Sequence, residues 1–357
     1  MSAGLIRAVG LMSGTSLDGV DAAFIETDGE TRVAVGPALT IPYERDLRAR
    51  LRAALGGRGP AAEAEAAMTH AHAAAIDALL SNHQLPKPDV IGFHGHTILH
   101  QPRQGRTWQL GDGALLATLT GIDVVNDFRS ADVAAGGEGA PFVPLYHRAL
   151  AAGLEKPLAV LNIGGVANVT WIGPRETDIL AFDTGPGNAL IDDWALAHTG
   201  KPVDEGGALA RAGHADENRL ARFLDHPYFA RRPPKSLDRD EFASFMPQGL
   251  SPEDGAATLA ALTVAAIAAA QRHFPAAARR WLVTGGGRHN SLLMELLRQK
   301  LKAPVAPVES CGWDGDALEA QAFAYLAVRS LKGRPLSLPG TTGVKAPTAG
   351  GKLHRAR

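Results

Sequence analysis

The chain has 357 residues, 45% of them hydrophobic and 20% charged. That length exceeds the ~250–300 residues at which one core stops growing, so two domains are expected, and the composition argues against disorder. A net charge of −1 provides no basic surface to steer the chain to nucleic acid or an anionic membrane.

Cys311 is the only cysteine, so no intrachain disulfide can form, which fits a reducing, cytoplasmic setting. No basic region followed by a long apolar core opens the chain, so no signal peptide is expected. The uncharged run 256–270 falls short of the ~20 residues needed to cross a bilayer and reads as a buried helix.

In chain order, an apolar strand over 5–12 meets Ser13-Gly14-Thr15-Ser16-Leu17, turns at Asp18-Gly19 and returns as a strand over 20–25. Asp-Gly between two apolar runs signals a hairpin. Its chemistry suits a phosphate clamp. Ser13, Thr15 and Ser16 offer hydroxyls, and Gly14 and Gly19 let backbone N–H groups approach an anion. Asp18 and Asp21 suit a hydrated Mg²⁺. An ordinary polar hairpin is the competing reading. A third strand over 31–41 completes a meander.

Residues 61–80 form a helix rich in Ala, Glu and Leu. His70 and His72, two apart on it, cannot face the same way. Residues 89–97 form a strand that would put His94 and His96 on one face. With no third ligand nearby, substrate hydrogen bonding suits them better than metal. A strand over 106–110, a helix over 113–120 and a strand over 122–126 follow, the last ending in Asp127-Phe128-Arg129. Residues 131–144 are rich in Gly and Pro and form either a linker or a cleft edge.

A second hairpin spans 158–172, with Gly164-Gly165 at its turn and Asn162 and Asn168 flanking it. A strand over 179–182 then stops at Asp183, where a Gly/Pro loop begins. Strand ends of this kind carry chemistry in open α/β folds. Asn188 is placed to cap the next helix. Residues 226–242 are basic, Pro-rich and expected to be irregular. A long helix covers 252–273. A strand ending in Gly285-Gly286-Gly287 precedes Arg288-His289-Asn290 and another helix. The GxGxxG spacing is missing, which excludes a dinucleotide fold. A strand over 303–308, a last helix over 316–331 and a Gly/Pro-rich tail close the chain.

The order of these features resembles the sugar kinase, actin and heat-shock-protein ATPase superfamily. The resemblance implies an α/β fold of two RNase-H-like domains, with mixed sheets flanked by helices and ATP in the cleft between them. It places the domains at 1–145 with 314–357, and at 146–313. The segments GLMSGTSLDGVDAA, GFHGHTILHQP, TWQLGDGALLA, DFRSADVAAGGEGAPFVP, LNIGGVANVTWI, FDTGPGNALIDDW, VTGGGRHN and DALEAQAFAYLA resemble, in order and nearly end to end, the anhydro-N-acetylmuramic acid kinase family. One departure stands out: Leu237-Asp238 follows PPKS where the family pattern has Thr-Gly.

The family resemblance implies ATP and Mg²⁺, an amino-sugar substrate, a homodimer and a cytoplasmic role in peptidoglycan recycling. ATP would contact Gly14, Thr15, Ser16, Leu17, Asp18, Gly19, Val20 and Asp21 in the first turn. Gly164, Gly165 and Asn168 would form the second turn, and Gly285, Gly286, Gly287 and Asn290 the adenosine loop. Asp18 and Asp21 would reach Mg²⁺ through water. The substrate's O6 is tied to C1, so a base must first activate water, and Asp183 is the candidate. His94, Gln109, Arg129 and Glu319 are candidates for the sugar. Arg129 has the planar fork that suits the lactyl carboxylate. A kinase of the same fold acting on an ordinary sugar or carboxylic acid is the alternative.

Overall fold

The computed structural model describes residues 4–14, 17–57, 59, 61–237 and 239–356. The chain divides into two compact units, Met1–Gly153 with Ala317–Arg357, and Leu154–Asp316.

The first unit begins with β1 (Ile6–Ser13), β2 (Gly19–Thr27), β3 (Val33–Pro42), β4 (Val90–Gln101), β5 (Arg106–Leu110) and β6 (Val124–Asn126). The second holds β7 (Leu158–Ile163), β8 (Val166–Ile172), β9 (Ile179–Pro186), β10 (Trp281–Thr284) and β11 (Val305–Pro307). The chain then returns to the first unit and ends in β12 (Lys352–His354).

In the first sheet the order is β12-β6-β4-β1-β2-β3, with β5 paired to β4. The meander β1-β2-β3 is antiparallel, while β4 and β6 add in parallel. The second sheet, β11-β10-β7-β8-β9, repeats this plan: an antiparallel meander β7-β8-β9, then β10 and β11 in parallel. An antiparallel meander extended by two parallel strands on its first strand is the RNase-H-like order, present once in each unit. The tail, which carried no strand signal, supplies β12, antiparallel to β6.

Each sheet is covered by helices whose ends are locally encoded. The helix Pro252–Ala270 starts with Ser251, whose hydroxyl accepts from the Asp254 N–H at 3.1 Å, and has Pro252 in its first turn. It continues as a 3₁₀ turn to His273. It is the described helix long and apolar enough to span a membrane, and most of it is buried in the core of the second unit. Leu318–Leu331 lies against β1, β2 and β4, so close that a Cβ on Gly92 would sit 2.0 Å from the Phe323 carbonyl.

Segment 131–144 is part of the first unit. It is held there by the Asp132 carboxylate, which accepts from the Gly139 N–H and the Thr342 hydroxyl. Segment 226–242, expected to be irregular, contains a 3₁₀ turn at Pro227–Ala230 and buries Phe229 and Phe242 against Phe223, with Tyr228 packed on both of them. Each buried ring contributes roughly 1.5–3 kcal/mol, enough to fix a stretch with little regular structure.

Candidate active site

In the second unit the acid is inside a strand. β9 runs through Asp183 to Pro186, four residues further than the sequence suggested, because its pairing with β8 continues past a bulge. Asp183 stands opposite Asn168 and Gly185 opposite Ala167, leaving Thr184 as the extra residue. The Thr184 hydroxyl donates to the Ala167 carbonyl at 3.1 Å. A bulge of this kind turns a strand locally and re-aims the side chains next to it.

β9 is also the edge of its sheet. An edge leaves backbone groups to satisfy, and segment 226–237 takes those of Asp183. The Asp183 N–H donates to the Lys235 carbonyl at 3.0 Å, and the Tyr228 hydroxyl donates to the Asp183 carbonyl at 2.5 Å. The Leu237 N–H donates to Asp183 Oδ2 at 2.8 Å. Leu237 acts here through its backbone, so the family departure at this position leaves the contact intact. Asp238, the other half of that departure, lies outside the described residues.

Three turns converge beside this strand. The Asn188 and Gly187 N–H groups donate to the Gly164 and Gly165 carbonyls at 2.7 and 3.0 Å. Asn188 stands at the cap position of Ala189–Thr199 but does not cap it. Its side-chain amide donates instead to the Ile163 carbonyl at 3.0 Å, which ties the helix start to the glycine hairpin. Gly285 has φ +76°, and a Cβ there would lie 2.2 Å from Asn162 Oδ1. Glycine is therefore needed both for the backbone conformation and for contact with the 162–165 turn. Gly286 and Gly287 follow in the same 3₁₀ turn, and Asn290 caps Ser291–Lys300 through Oδ1. Arg288, buried, bonds Glu309 and Asp316 at 2.8 Å each and anchors that turn. Tyr228, Lys235 and Arg288 were not singled out from sequence. Their only sequence signal is a basic, aromatic segment and a cation directly after the glycines.

In the first unit Thr15 and Ser16 lie outside the described residues. Gly14 accepts from the Leu17 N–H at 3.1 Å, and the Asp18 carbonyl from the Tyr43 N–H at 3.0 Å. Gly19 pairs with Pro42 at the start of β2. Leu17 and Val20 are buried in the core, whereas the Asp18 side chain is exposed. Ser13 departs from expectation. It is buried, accepts from the Tyr43 hydroxyl at 2.7 Å and bonds His96 Nδ1 at 3.0 Å, so its hydroxyl serves the core. Asp21 accepts from the Thr40 hydroxyl at 2.6 Å.

His94 and His96 lie on opposite faces of β4. Gly95 between them has φ +75°, and the pairing of β1 with β4 shifts register here, so strand alternation breaks. His94 packs on Phe323 of the helix Leu318–Leu331, while His96 reaches Ser13. His70 is exposed and His72 buried, as their spacing required. Among the described residues no group of three or more His, Cys, Asp or Glu side chains could hold a metal.

His94 Nδ1 lies 2.8 Å from the Gly95 carbonyl, which can only accept, so Nδ1 carries the proton. Nε2 then accepts from Arg129 Nε at 3.1 Å and Nη2 at 2.9 Å. Burial, reinforced by Arg129, holds the His94 pKa well below its usual value, so the ring is neutral. Arg129 Nη1 donates to the Gly139 carbonyl at 2.6 Å. Burial lowers the Arg129 pKa to about 10, against the raising influence of Glu319 and Asp132, and leaves a cation at neutral pH. Glu319, in the first turn of its helix, has accessible surface, yet crowding by protein raises its pKa. Arg129 opposes that shift and Asp21 adds to it. Gln109 donates to the Thr107 and Thr97 hydroxyls at 2.8 and 3.3 Å, and with His94 lines a cavity of about 350 Å³.

The first unit thus offers a cation with a neutral imidazole behind it and carboxylates beside it. The second offers a carboxylate next to a glycine-walled set of turns. A model of the anhydro-N-acetylmuramic acid kinase family matches residues 6–356. The anhydro-N-acetylmuramic acid kinase of Paramagnetospirillum magneticum is 60% identical over 352 residues, covering 97% of this chain and 99% of its own. That of Acidiphilium cryptum is 57% identical, with 98% of each chain covered. Identity at this level over nearly the whole length makes the chain a member of the anhydro-N-acetylmuramic acid kinase family.

Proposed function

We propose that the chain phosphorylates 1,6-anhydro-N-acetylmuramic acid with ATP while water opens the 1,6 bridge, giving N-acetylmuramic acid 6-phosphate and ADP. The observation that carries this is Asp183. Its carboxylate is held by the Leu237 N–H on a strand opposite Asn168, beside the Gly164–Gly165 turn.

Water attacks C1 as Asp183 accepts one of its protons. The C1–O6 bond breaks and its electron pair goes to O6. O6 attacks the γ-phosphorus, the bond to the β-phosphate oxygen breaks, and ADP leaves. The water oxygen remains on C1 as a hydroxyl, and the proton on Asp183 passes to solvent. Gly164, Gly165 and Asn168 would bear on the phosphates with Gly14 to Asp21, and Gly285 to Asn290 on the adenosine. Leu17 and Val20, being buried, would act through their backbone. Mg²⁺ bound with ATP would neutralise the phosphate oxygens. The sparse carboxylates Asp18 and Asp21 fit an ion that keeps most of its waters better than a protein cage would. Arg129 would take the lactyl carboxylate with His94 orienting it, and Glu319 and Gln109 would bear on the sugar. The family reading further supports a cytoplasmic homodimer, which light scattering of the purified chain would test.

The reaction in ¹⁸O-labelled water tests the coupled step. Label at C1 of a 6-phosphorylated sugar is expected. A phosphorylated product with unlabelled C1, under conditions where C1 does not exchange with solvent, overturns the proposal.

A further inference from the structure

Segment 226–237 does more at Asp183 than close the edge of a sheet. Three bonds from this one stretch converge on a single residue: to its N–H, to its carbonyl and to its carboxylate. Lys235 links them. Its carbonyl takes the Asp183 N–H, while its ammonium turns inward and donates to the Tyr228 carbonyl at 2.9 Å. The same ammonium sits 4.3 Å from the centre of the Tyr228 ring and 5.8 Å from that of Phe182, the residue before Asp183. Lys235 is only 5% exposed.

An ammonium this deeply buried is costly unless something offsets it. The aromatic faces and the Tyr228 carbonyl supply part of that. Among the described residues, the charged and titratable groups around it are Arg231, Glu241 and Tyr228 of its own segment, Asp183 of β9, and Arg272 and His273 at the end of the long helix. Arg231 lies 3.9 Å from Glu241, so Glu241 is already matched. Among the described residues, Asp183 is an anion that favours the charged form of Lys235.

We propose that Tyr228 and Lys235 are positioning residues for the reaction, Tyr228 and the Lys235 carbonyl fixing the backbone of Asp183 while the Lys235 ammonium, bonded to the Tyr228 carbonyl and packed on its ring, places a positive charge next to Phe182, the residue before Asp183. This rests on Asp183 being the base. The sign follows from the charges. A nearby cation favours the carboxylate and lowers its pKa, so losing the cation moves the onset of activity to higher pH. Burial, with Arg231 and Arg272, brings Lys235 itself down to about 8, so it is a cation below that pH.

The test compares pH profiles of kcat/KM, together with kcat and KM for ATP, in D183N, Y228F, K235M and K235R, with melting curves for each. Y228F is expected to lower kcat about 5- to 30-fold with KM for ATP within about twofold, the effect of one lost hydrogen bond at the base. K235M is expected to move the acidic limb upward by about half a pH unit or more, and K235R to return it. A purely structural role for the segment would lower the melting temperature and leave that limb in place. An inactive D183N beside Y228F or K235M variants with wild-type kcat and acidic limb overturns the proposal and leaves the base intact. Retained turnover in D183N removes the base itself, a separate result. If K235M does not fold, Y228F decides alone, since wild-type kcat in that variant is incompatible with the proposal.

Discussion

Arg129 permits a prediction worked from geometry. A guanidinium has five N–H donors. Three are spent inside the first unit, two on His94 Nε2 and one on the Gly139 carbonyl. Five less three leaves two, one on each terminal nitrogen, with no further partner among the described residues. An N–H on each terminal nitrogen is what end-on bidentate binding of a carboxylate uses. Charge-assisted bonds contribute ~1.5–3 kcal/mol each, so two are worth about 3–6 kcal/mol, or roughly 10²–10⁴-fold in kcat/KM. R129K keeps the charge but not the fork. The assay compares 1,6-anhydro-N-acetylmuramic acid with 1,6-anhydro-N-acetylglucosamine, which lacks the lactyl group. The wild type is expected to favour the first strongly, and R129K to lose most of that preference by slowing on the first alone. Lysine cannot serve His94 and Gly139 together, and a buried acceptor left bare costs ~1–3 kcal/mol, so melting curves must accompany the kinetics. An unchanged ratio of the two kcat/KM values in folded R129K would refute the reasoning.

D183N should bind ATP as the wild type does, since the amide oxygen can still accept from the Leu237 N–H. It should lose about 10²–10⁴ in turnover, or ~3–5 kcal/mol, as measured by isothermal titration and ADP release. G285A forces φ +76° on a residue with a Cβ and places that Cβ against Asn162, so we expect ATP affinity to fall about tenfold or more, with a drop in melting temperature. Stability should also depend on pH through His72, which burial lowers from 6.5 to about 4. Because the folded state disfavours the charged ring, this contribution is complete above pH 6.5 and is lost as pH falls towards 4, at up to about 1.4 kcal/mol per pH unit. Urea unfolding of the wild type and H72F at pH 7 and pH 5 checks it; equal losses in both proteins would sink the assignment.

Much of this protein is written locally. Asp-Gly between apolar runs made the first hairpin, and the second formed around Gly164-Gly165, because turn chemistry and alternation act over a few residues. The helix starts at Ser251 and Asp112 are equally local, each set by a side-chain oxygen reaching N–H groups two or three residues ahead. From these, with the order of the motifs, the fold class and the family could be read.

Other features depend on partners far away in the chain. β9 continues through Asp183 because β8 pairs with it across a bulge, and no window around 183 contains β8's register. Ser13 turned inward because Tyr43 and His96, distant in sequence, meet it in the core. His94 and His96 parted because one left-handed glycine reset the strand between them. The tail became β12 because β6 presented an edge to it. Residue types carry the chemistry, but hydrogen-bond partners and strand register decide where each side chain points, and those are contacts between segments that only the folded chain brings together.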